Sequence, residues 1–484
     1  MSVNLDPDDF EQARQARDPH FDGRVFIGVL TTGIYCRPVC PVRVPRKENI
    51  RLFSTAAAAA EAGFRPCLRC RPESSPGTPA WLGSSHTVSR ALQLIAAGAL
   101  DDASVAQLAA RLGIGSRQLT RLFRQHLGVT PLAVASTQRL HFAKKLINET
   151  SLPMAEICFA AGYGSVRRFN AAFNSVYGCS PSVLRRQRGR SDDAEATGLT
   201  LKLRWRPPFD WQAMLDYLAL RAIPGVERVG QCSYARSFVI DGIAGDFCVH
   251  FQPGSHDLSL TVRCAQTRLL QRIVERVKIM FDLNAVSTDV DAWLAQDDHL
   301  RPLVEATPGI RVPVAWNGFE VAIRAIVGQQ VSVKGATTLV SRLAQTCGTS
   351  YHCDDPALSL LFPSPEQVLG NPLQGLGITT RRVAAIHAVA QAVLDGDLRF
   401  DGSMSTDEFV AAITRIPGIG PWTAQYIALR ALNDADAFPH ADLVLLRAAA
   451  GEGEVLTPKQ LLERSRAWRP WRAYSVMLLW RHAG

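Results

Sequence analysis

Residues Ile416–Leu432 read IPGIGPWTAQYIALRAL, and ten residues past the end of this stretch stands an aspartate, Asp442. Pro417-Gly418-Ile419-Gly420 has the composition of a tight hairpin between two helices. Gly418 and Gly420 let the backbone turn sharply and approach a phosphate with no Cβ in the way. The helix that follows then opens with its amides outward, where its dipole favours an anion. Such a hairpin by itself holds a nucleic-acid backbone. A carboxylate at a fixed distance beyond it suggests chemistry on what is held.

Hairpin and aspartate together resemble the helix-hairpin-helix DNA glycosylases, which cut the bond between a base and its sugar. Four further stretches, in order, resemble the AlkA type, DNA-3-methyladenine glycosylase II: Leu203–Val229, Phe319–Val333, AFPHADLVLLR (Ala437–Arg447) and WRPWRAYSVMLLW (Trp468–Trp480). The likeness runs from about Leu201 to the C-terminus. It implies a small α+β subdomain followed by a helical catalytic one. A base inside a duplex must be extruded to be reached. Alkylation at a purine ring nitrogen makes the base cationic, and aromatic faces attract such a ring by about 0.5–2 kcal/mol each. The resemblance places Trp422, Tyr426 and Trp480 in that pocket. Trp422 and Tyr426 sit at i and i+4 on one helix, a spacing that also suits a core. A cationic base leaves readily, so one carboxylate can suffice where ordinary glycosidases use two. The resemblance gives Asp442 the role of stabilising the oxocarbenium-like sugar and orienting water. Asp442 also reads as the N-cap of a helix LVLLRAAA, and the two roles are compatible.

Absences narrow the class. Relatives that also nick the strand carry a lysine where Trp422 stands, so base removal without strand cleavage is expected. No cysteine follows Asp442 to ligate an iron–sulfur cluster. Gln330 takes the place of a leucine that in some relatives plugs the gap left by a flipped base.

The chain has 484 residues, more than one domain's worth, with a formal charge of +9 that suits a polyanionic partner. No apolar run is long enough for a membrane span, and the polar start MSVNLDPDDFEQ is not a secretory signal. The eleven cysteines are therefore expected as thiols or metal ligands. Two polar stretches, Arg71–Ser85 and Gly189–Gly198, read as linkers. The expected fold is multidomain α+β: a small zinc module (1–75), an all-α double helix-turn-helix module (86–187), a linker (188–199), an α+β subdomain (200–311), and an all-α helix-hairpin-helix glycosylase domain (312–484). The run Ala56–Ala60 reads as an ordinary helix surface.

Cys36-x3-Cys40 and Cys67-x2-Cys70 are two close pairs, each able to chelate one tetrahedral ion, and four sulfurs suit one Zn²⁺. A zinc-bound sulfur stays deprotonated and nucleophilic. Adding a methyl to one sulfur would take the site from −2 to −1 and reduce repulsion from DNA phosphate. The surrounding FDGRVFIGVLTTGIYCRPVC and AGFRPCLRCRP resemble the N-terminal domain of the Ada family. The resemblance makes Cys36 the acceptor of a methyl from a DNA methylphosphotriester, with Cys40, Cys67 and Cys70 as the other ligands. It turns Arg43, Arg65 and Arg69 towards phosphate. The second Ada methyltransferase motif, Pro-Cys-His-Arg, does not occur, so repair of O6-methylguanine is not expected. The other seven cysteines read as small core residues.

Ser104–Gly128 has a helix, a Gly-containing turn and an Arg- and Gln-rich second helix, and Met154–Pro181 repeats the pattern. GYGSVRRFNAAFNSVYGCSPS resembles the AraC family of transcription activators. By that resemblance Ser116, Arg117, Gln118, Arg121 and Arg124 face DNA from the first copy, and Ser165, Arg167, Arg168 and Asn170 from the second. The whole chain then resembles an Ada–AlkA fusion: sensor, activator and monofunctional base-excision enzyme. Its expected partners are alkylated and promoter double-stranded DNA and RNA polymerase. It is expected to act as a monomer, in the bacterial cytoplasm on the nucleoid. The rival reading is an alkylation-sensing regulator whose glycosylase half is inactive and only grips DNA.

Overall fold

The structure, a computed structural model, describes residues 11, 14–75, 86–188, 198–451 and 454–483. The chain forms two compact units, Met1–Arg206 with Gly254–Lys278 and Pro207–Pro253 with Ile279–Gly484. The expected multidomain α+β architecture is present. Residues 76–85 and 189–197 of the two linker readings lie outside the described residues.

The first unit begins with a four-stranded sheet in the order β3-β1-β2-β4, where β1 is Phe26–Val29, β2 Ile34–Cys36, β3 Ile50–Phe53 and β4 Arg65–Pro66. β1 pairs antiparallel with β2 and β3, and β2 pairs parallel with β4, Tyr35 opposite Pro66. Gly28 is required on β1, because a Cβ there would lie 2.7 Å from the Phe53 ring and 2.9 Å from Phe64. Helix α1 (Ala56–Glu61) is capped by the Thr55 side chain. It is not merely surface: Ala59 is buried against the strand residues Phe26, Tyr35 and Phe53, and Ala57 in the core of the helices that follow, because alanine's small side chain permits close approach on both faces.

The helix-turn-helix copies follow. In the first, α2 (Val105–Arg111) opens with a Ser104/Gln107 capping box, and α3 (Ser116–Leu127) ends at Gly128 in the left-handed conformation. Leu119, Phe123 and Leu127 recur at i, i+4 and i+8 on α3 and are buried. A 19-residue helix, α4 (Pro131–Glu149), joins this copy to α5 (Met154–Ala160) and α6 (Val166–Tyr177). Phe169, Phe173 and Tyr177 repeat the buried spacing on α6.

Residues 71–75, expected as the start of a linker, are packed instead. The Glu73 carboxylate is fully buried and accepts from Lys144 Nζ of α4 at 2.9 Å. Arg71 pairs with Glu149, and the Tyr35 hydroxyl meets His141 Nε2 at 2.8 Å. Charged residues read as solvated only until partners of opposite sign are found for them, and these partners lie some seventy residues away. Strand Leu199–Arg204 completes the unit by pairing antiparallel with Asp257–Cys264, whose Leu258, Leu260 and Val262 are buried in alternation.

In the second unit, Glu227–Val229, Ser233–Ile240 and Ile243–Phe251 pair antiparallel in that order. Asp241-Gly242, both at positive φ, make the two-residue turn. The helical part is built round α8 (Gly318–Val327), buried on every side. Around it lie α7 (Trp211–Ala219), α9 (Val333–Cys347), α10 (Thr406–Ile413), α11 (Pro421–Ala431), α12 (Leu443–Ala448) and α13 (Arg472–His482). Ile323, Ile326, Val340, Phe409 and Ile427 are among its buried core. Of the seven cysteines expected as core, only Cys158 and Cys347 are buried; Cys179, Cys232, Cys248, Cys264 and Cys353 are half-exposed.

Candidate functional site

The hairpin joins α10 to α11. Gly418 has φ +94, Gly420 is the N-cap of α11, and Pro421 fills its first turn. Gln329, in the turn between α8 and α9, donates from Nε2 to Gly418 O at 2.9 Å and to Thr423 Oγ1 at 3.0 Å. Its own carbonyl accepts from Arg382. The neighbouring Gln330 is exposed at φ +56, a left-handed conformation that costs a non-glycine residue about 1–2 kcal/mol.

Beside the hairpin opens a cleft of about 420 Å³, lined among others by Tyr217, Arg221, Trp422, Tyr426, Asp442 and Trp480. Asp442 caps α12, its Oδ1 accepting from the amides of Val444 and Leu445, each at 3.0 Å. The same carboxylate lines the cleft. Oδ2 accepts from Trp422 Nε1 at 2.9 Å, and Oδ1 from Trp480 Nε1 at 3.3 Å. The cap and cleft readings of Asp442 therefore coexist. Two indoles and two amides fix the carboxylate's orientation before any substrate arrives.

Trp422 and Tyr426 are half-buried and line the cleft. Their rings stack at 5.8 Å and 22°. Trp480 closes the box, 6.1 Å from Tyr426 and 6.5 Å from Tyr217, nearly parallel to the latter. Tyr217, Arg221 and Arg430 went unnoticed in the sequence. Tyr217 and Arg221 are i, i+4, as are Tyr426 and Arg430, and that shared Tyr-x3-Arg spacing is the signal that could have found them. Arg430 Nη1 donates to the Tyr217 hydroxyl at 2.5 Å, and the Arg221 guanidinium lies 3.7 Å from the Tyr217 ring centre. Burial pushes the Tyr426 phenol up. The charges of Arg430, Arg221 and Arg324, with a hydrogen bond from Tyr217, outweigh it and bring the phenol down to about 8. Tyr217 itself is pushed up by burial.

In the first unit the parallel rung Tyr35–Pro66 sets Cys36 beside Cys67, whose amide donates to Tyr35 O at 2.9 Å. The Sγ atoms of Cys36, Cys40, Cys67 and Cys70 all lie within 4.8 Å of one another, and all four residues are buried. The Arg37 amide donates to Cys70 Sγ at 3.3 Å. Hydrogen bonds among the four sulfurs hold Cys36 well above the usual thiol range and Cys67 well below it. Buried sulfurs packed this closely cannot all be thiolates without a cation among them, so the donor set fits a four-Cys Zn²⁺ site. Arg43, Arg65 and Arg69 are exposed around this module. Arg37 is turned inward onto Asp22. Arg117, Gln118, Arg121 and Arg124 on α3, and Arg167, Arg168 and Asn170 on α6, are exposed opposite the buried faces of those helices, while Ser165 caps α6.

Family profiles match along the chain: "Metal binding domain of Ada" at residues 9–73, "Helix-turn-helix domain" at 108–187, "AlkA N-terminal domain" at 200–317, and "HhH-GPD superfamily base excision DNA repair protein" at 323–472. The chain is 31% identical to DNA-3-methyladenine glycosylase 2 of Escherichia coli, over 57% of this chain and 95% of that one. It is 37% identical to the bifunctional activator and repair enzyme Ada of the same bacterium, over 25% of this chain and 33% of that one. The solved 3-methyladenine DNA glycosylase of Archaeoglobus fulgidus shares the fold, with TM-score 0.51 at 20% identity over 58% of this chain and 97% of that one. A Mycobacterium tuberculosis protein described as a probable bifunctional transcriptional activator/DNA repair enzyme AlkA is 39% identical over 98% of this chain and 96% of its own length. On that match over nearly the full length of both proteins, the chain belongs to the AlkA family of bifunctional transcriptional activators and DNA repair enzymes.

Proposed function

We propose that the chain senses DNA alkylation at Cys36, activates transcription through its helix-turn-helix module, and removes alkylated purines such as 3-methyladenine at Asp442. The observation that carries the enzyme reading is one carboxylate held by two indoles at the mouth of an aromatic box. A flipped cationic base would lie between Trp422, Tyr426 and Trp480, attracted by their faces. As the C1′–N bond breaks, positive charge develops on the sugar, and the fixed Asp442 carboxylate stabilises it. Water adds to C1′ and gives its proton to Asp442. Trp422 occupies the Schiff-base position, so the product is an abasic site in an intact strand. Gly418 and Gly420 hold the backbone, and Gln330 fills the gap in the stack.

In the sensor, the Cys36 sulfur attacks the methyl carbon of a methylphosphotriester. An S–C bond forms, and the phosphodiester leaves with the C–O electron pair. Cys36, Cys40, Cys67 and Cys70 would hold the zinc, which supplies the positive charge that keeps the sulfurs deprotonated. Arg43 and Arg65 bind phosphate. Arg117, Gln118, Arg121, Arg167 and Arg168 bind promoter DNA, and RNA polymerase is the partner for activation. The protein works as a monomer on the nucleoid.

The test is base release from duplex DNA carrying 3-methyladenine or 7-methylguanine. Wild type should release both, and Asp442→Asn should lose at least about a hundredfold while still binding DNA. No release by folded, DNA-binding wild type would leave a regulator with an inactive glycosylase half. For the sensor, mass spectrometry after exposure to methylphosphotriester DNA should find one methyl on Cys36 and none in Cys36→Ser.

A further inference from the structure

The cysteine cluster is held from outside the zinc module. Arg37 directly follows Cys36 and reaches across to the other cysteine pair. Its amide donates to Cys70 Sγ at 3.3 Å, and its Nη1 donates to Cys70 O at 2.9 Å. One residue therefore sets how Cys36 stands to Cys70. The Arg37 guanidinium is aimed by Asp22, whose carboxylate accepts from Nε at 2.7 Å and also from Nη2. The Asp22 carbonyl accepts in turn from Arg206 Nε at 2.7 Å, across 184 residues of chain. Arg206, Asp22 and Arg37 are 1%, 2% and 4% exposed. A guanidinium taken this far out of water is costly unless its hydrogen bonds are made, so Arg206 holds Asp22 in one arrangement.

Arg206 follows the strand Leu199–Arg204, and that strand approaches the cysteines a second time. The Lys202 amide donates to Glu149 Oε2 at 2.9 Å. Glu149 Oε1 accepts at 3.3 Å from Arg71, the residue after Cys70. The strand is anchored by the Arg204–Asp257 pair, with two parallel bonds of 2.8 and 2.7 Å. All these residues belong to the first compact unit. Two routes thus start on one segment and end on the neighbours of Cys36 and Cys70. Chelating a metal with four cysteines requires neither.

We propose that Arg206 is a positioning residue of the methyl acceptor: through Asp22 and Arg37 it fixes Cys36 against Cys70, so the sensor is complete only with the segment Leu199–Arg206 seated on it. The inference rests on the methyl-transfer reading of Cys36. In that step the Cys36 sulfur forms the S–C bond, and the C–O electron pair leaves with the phosphodiester; Arg206 touches neither. Sulfur, methyl carbon and departing oxygen must align, so a small misplacement of the sulfur slows transfer without weakening the grip on DNA, which falls to Arg43 and Arg65. Contacts behind a metal-bound ligand ordinarily change activity or metal affinity by about 10–100-fold.

The experiment is single-turnover methylation of the full-length protein by methylphosphotriester duplex DNA, read by mass spectrometry of Cys36 over a range of DNA concentrations. Arg206→Met keeps the bulk and removes the donor. Its maximal rate should fall about tenfold or more, while the half-saturating DNA concentration stays within about twofold of wild type. Arg206→Lys, which restores a cationic donor, should recover part of the loss. With cobalt(II) in place of zinc, the visible bands of the four-thiolate site should shift in Arg206→Met, a change that general loss of stability would not produce. Thr200→Val removes the 3.1 Å bond between Thr200 and Thr261 on the same strand and should leave rate and bands unchanged. A maximal rate within about twofold of wild type in metal-loaded Arg206→Met, unmoved cobalt bands, or an equal fall in Thr200→Val overturns the proposal and leaves the methyl-transfer reading intact. If Arg206→Met does not retain metal, Arg206→Gln, a shorter donor, is held to the same bounds. No methylation of wild type would sink the methyl-transfer reading itself, and the proposal with it.

Discussion

Asp442 both caps α12 and lines the aromatic cleft, and a substitution can separate the cap from the proposed chemistry. Asparagine keeps an N-cap acceptor, so Asp442→Asn should change the melting temperature little while abolishing base release; thermal melting beside the release assay checks both halves. A second residue-scale prediction concerns acid. Desolvation pushes His141 down to about 4, so between there and its ordinary value near 6.5 the unfolded chain binds a proton that the folded chain refuses. Burial raises Glu73, but Lys144 outweighs it and holds the carboxyl below its usual range. Both groups thus lose stability as pH falls. His141 alone should contribute on the order of 3 kcal/mol between pH 6.5 and 4. Denaturant titrations of wild type and His141→Gln should show the slope flatten in the variant over that window. The four cysteines were legible as a metal site from their spacing, whereas Asp442, Trp422 and the choice of Cys36 among the four were read through the family resemblances. Tyr217 and Arg430 were not legible: they lie 213 residues apart, and only the tertiary fold brings them to one hydroxyl.

At the scale of elements, the helix-turn-helix copies could be read because caps, glycine turns and i, i+4 spacing are local signals. The packing of residues 71–75 on α4 could not be, since a charge reads alike whether it is solvated or paired. The turn between α8 and α9 offers a test with opposite signs. Gln330 is held at φ +56, so Gln330→Gly should relieve strain and raise stability by about 1 kcal/mol. The same change removes the side chain proposed to fill the stack, so release from duplex should fall. Release from single-stranded substrate, which has no gap to fill, should fall less. Parallel falls on both substrates would remove Gln330 from the wedge role.

Across the whole molecule, the two candidate sites lie in different compact units, the four cysteines in the first and Asp442 in the second. Cys67→Ser should therefore lose the zinc, counted by metal analysis as about one ion per chain in wild type, and should lose methyl transfer with it. Release of 3-methyladenine should stay near wild type in that variant; a comparable drop would show that the sensor is needed by the enzyme. The order of segments was legible in composition and linkers. That residues 254–278 group with the first unit was not, because the pairing of Leu199–Arg204 with Asp257–Cys264 closes a loop of about fifty residues, and a strand's periodicity does not name its partner.

The Gln329 side chain, bonded at once to the hairpin carbonyl of Gly418 and to Thr423, has a consequence for how lesions are found. On the proposed roles of Gly418 and Gln330, the loop that grips the backbone and the residue that enters the stack are tied together through Gln329. Testing a base pair and braking on the DNA would then be one event. The scan along DNA would be a series of discrete bites, each timed by the release of that single tooth.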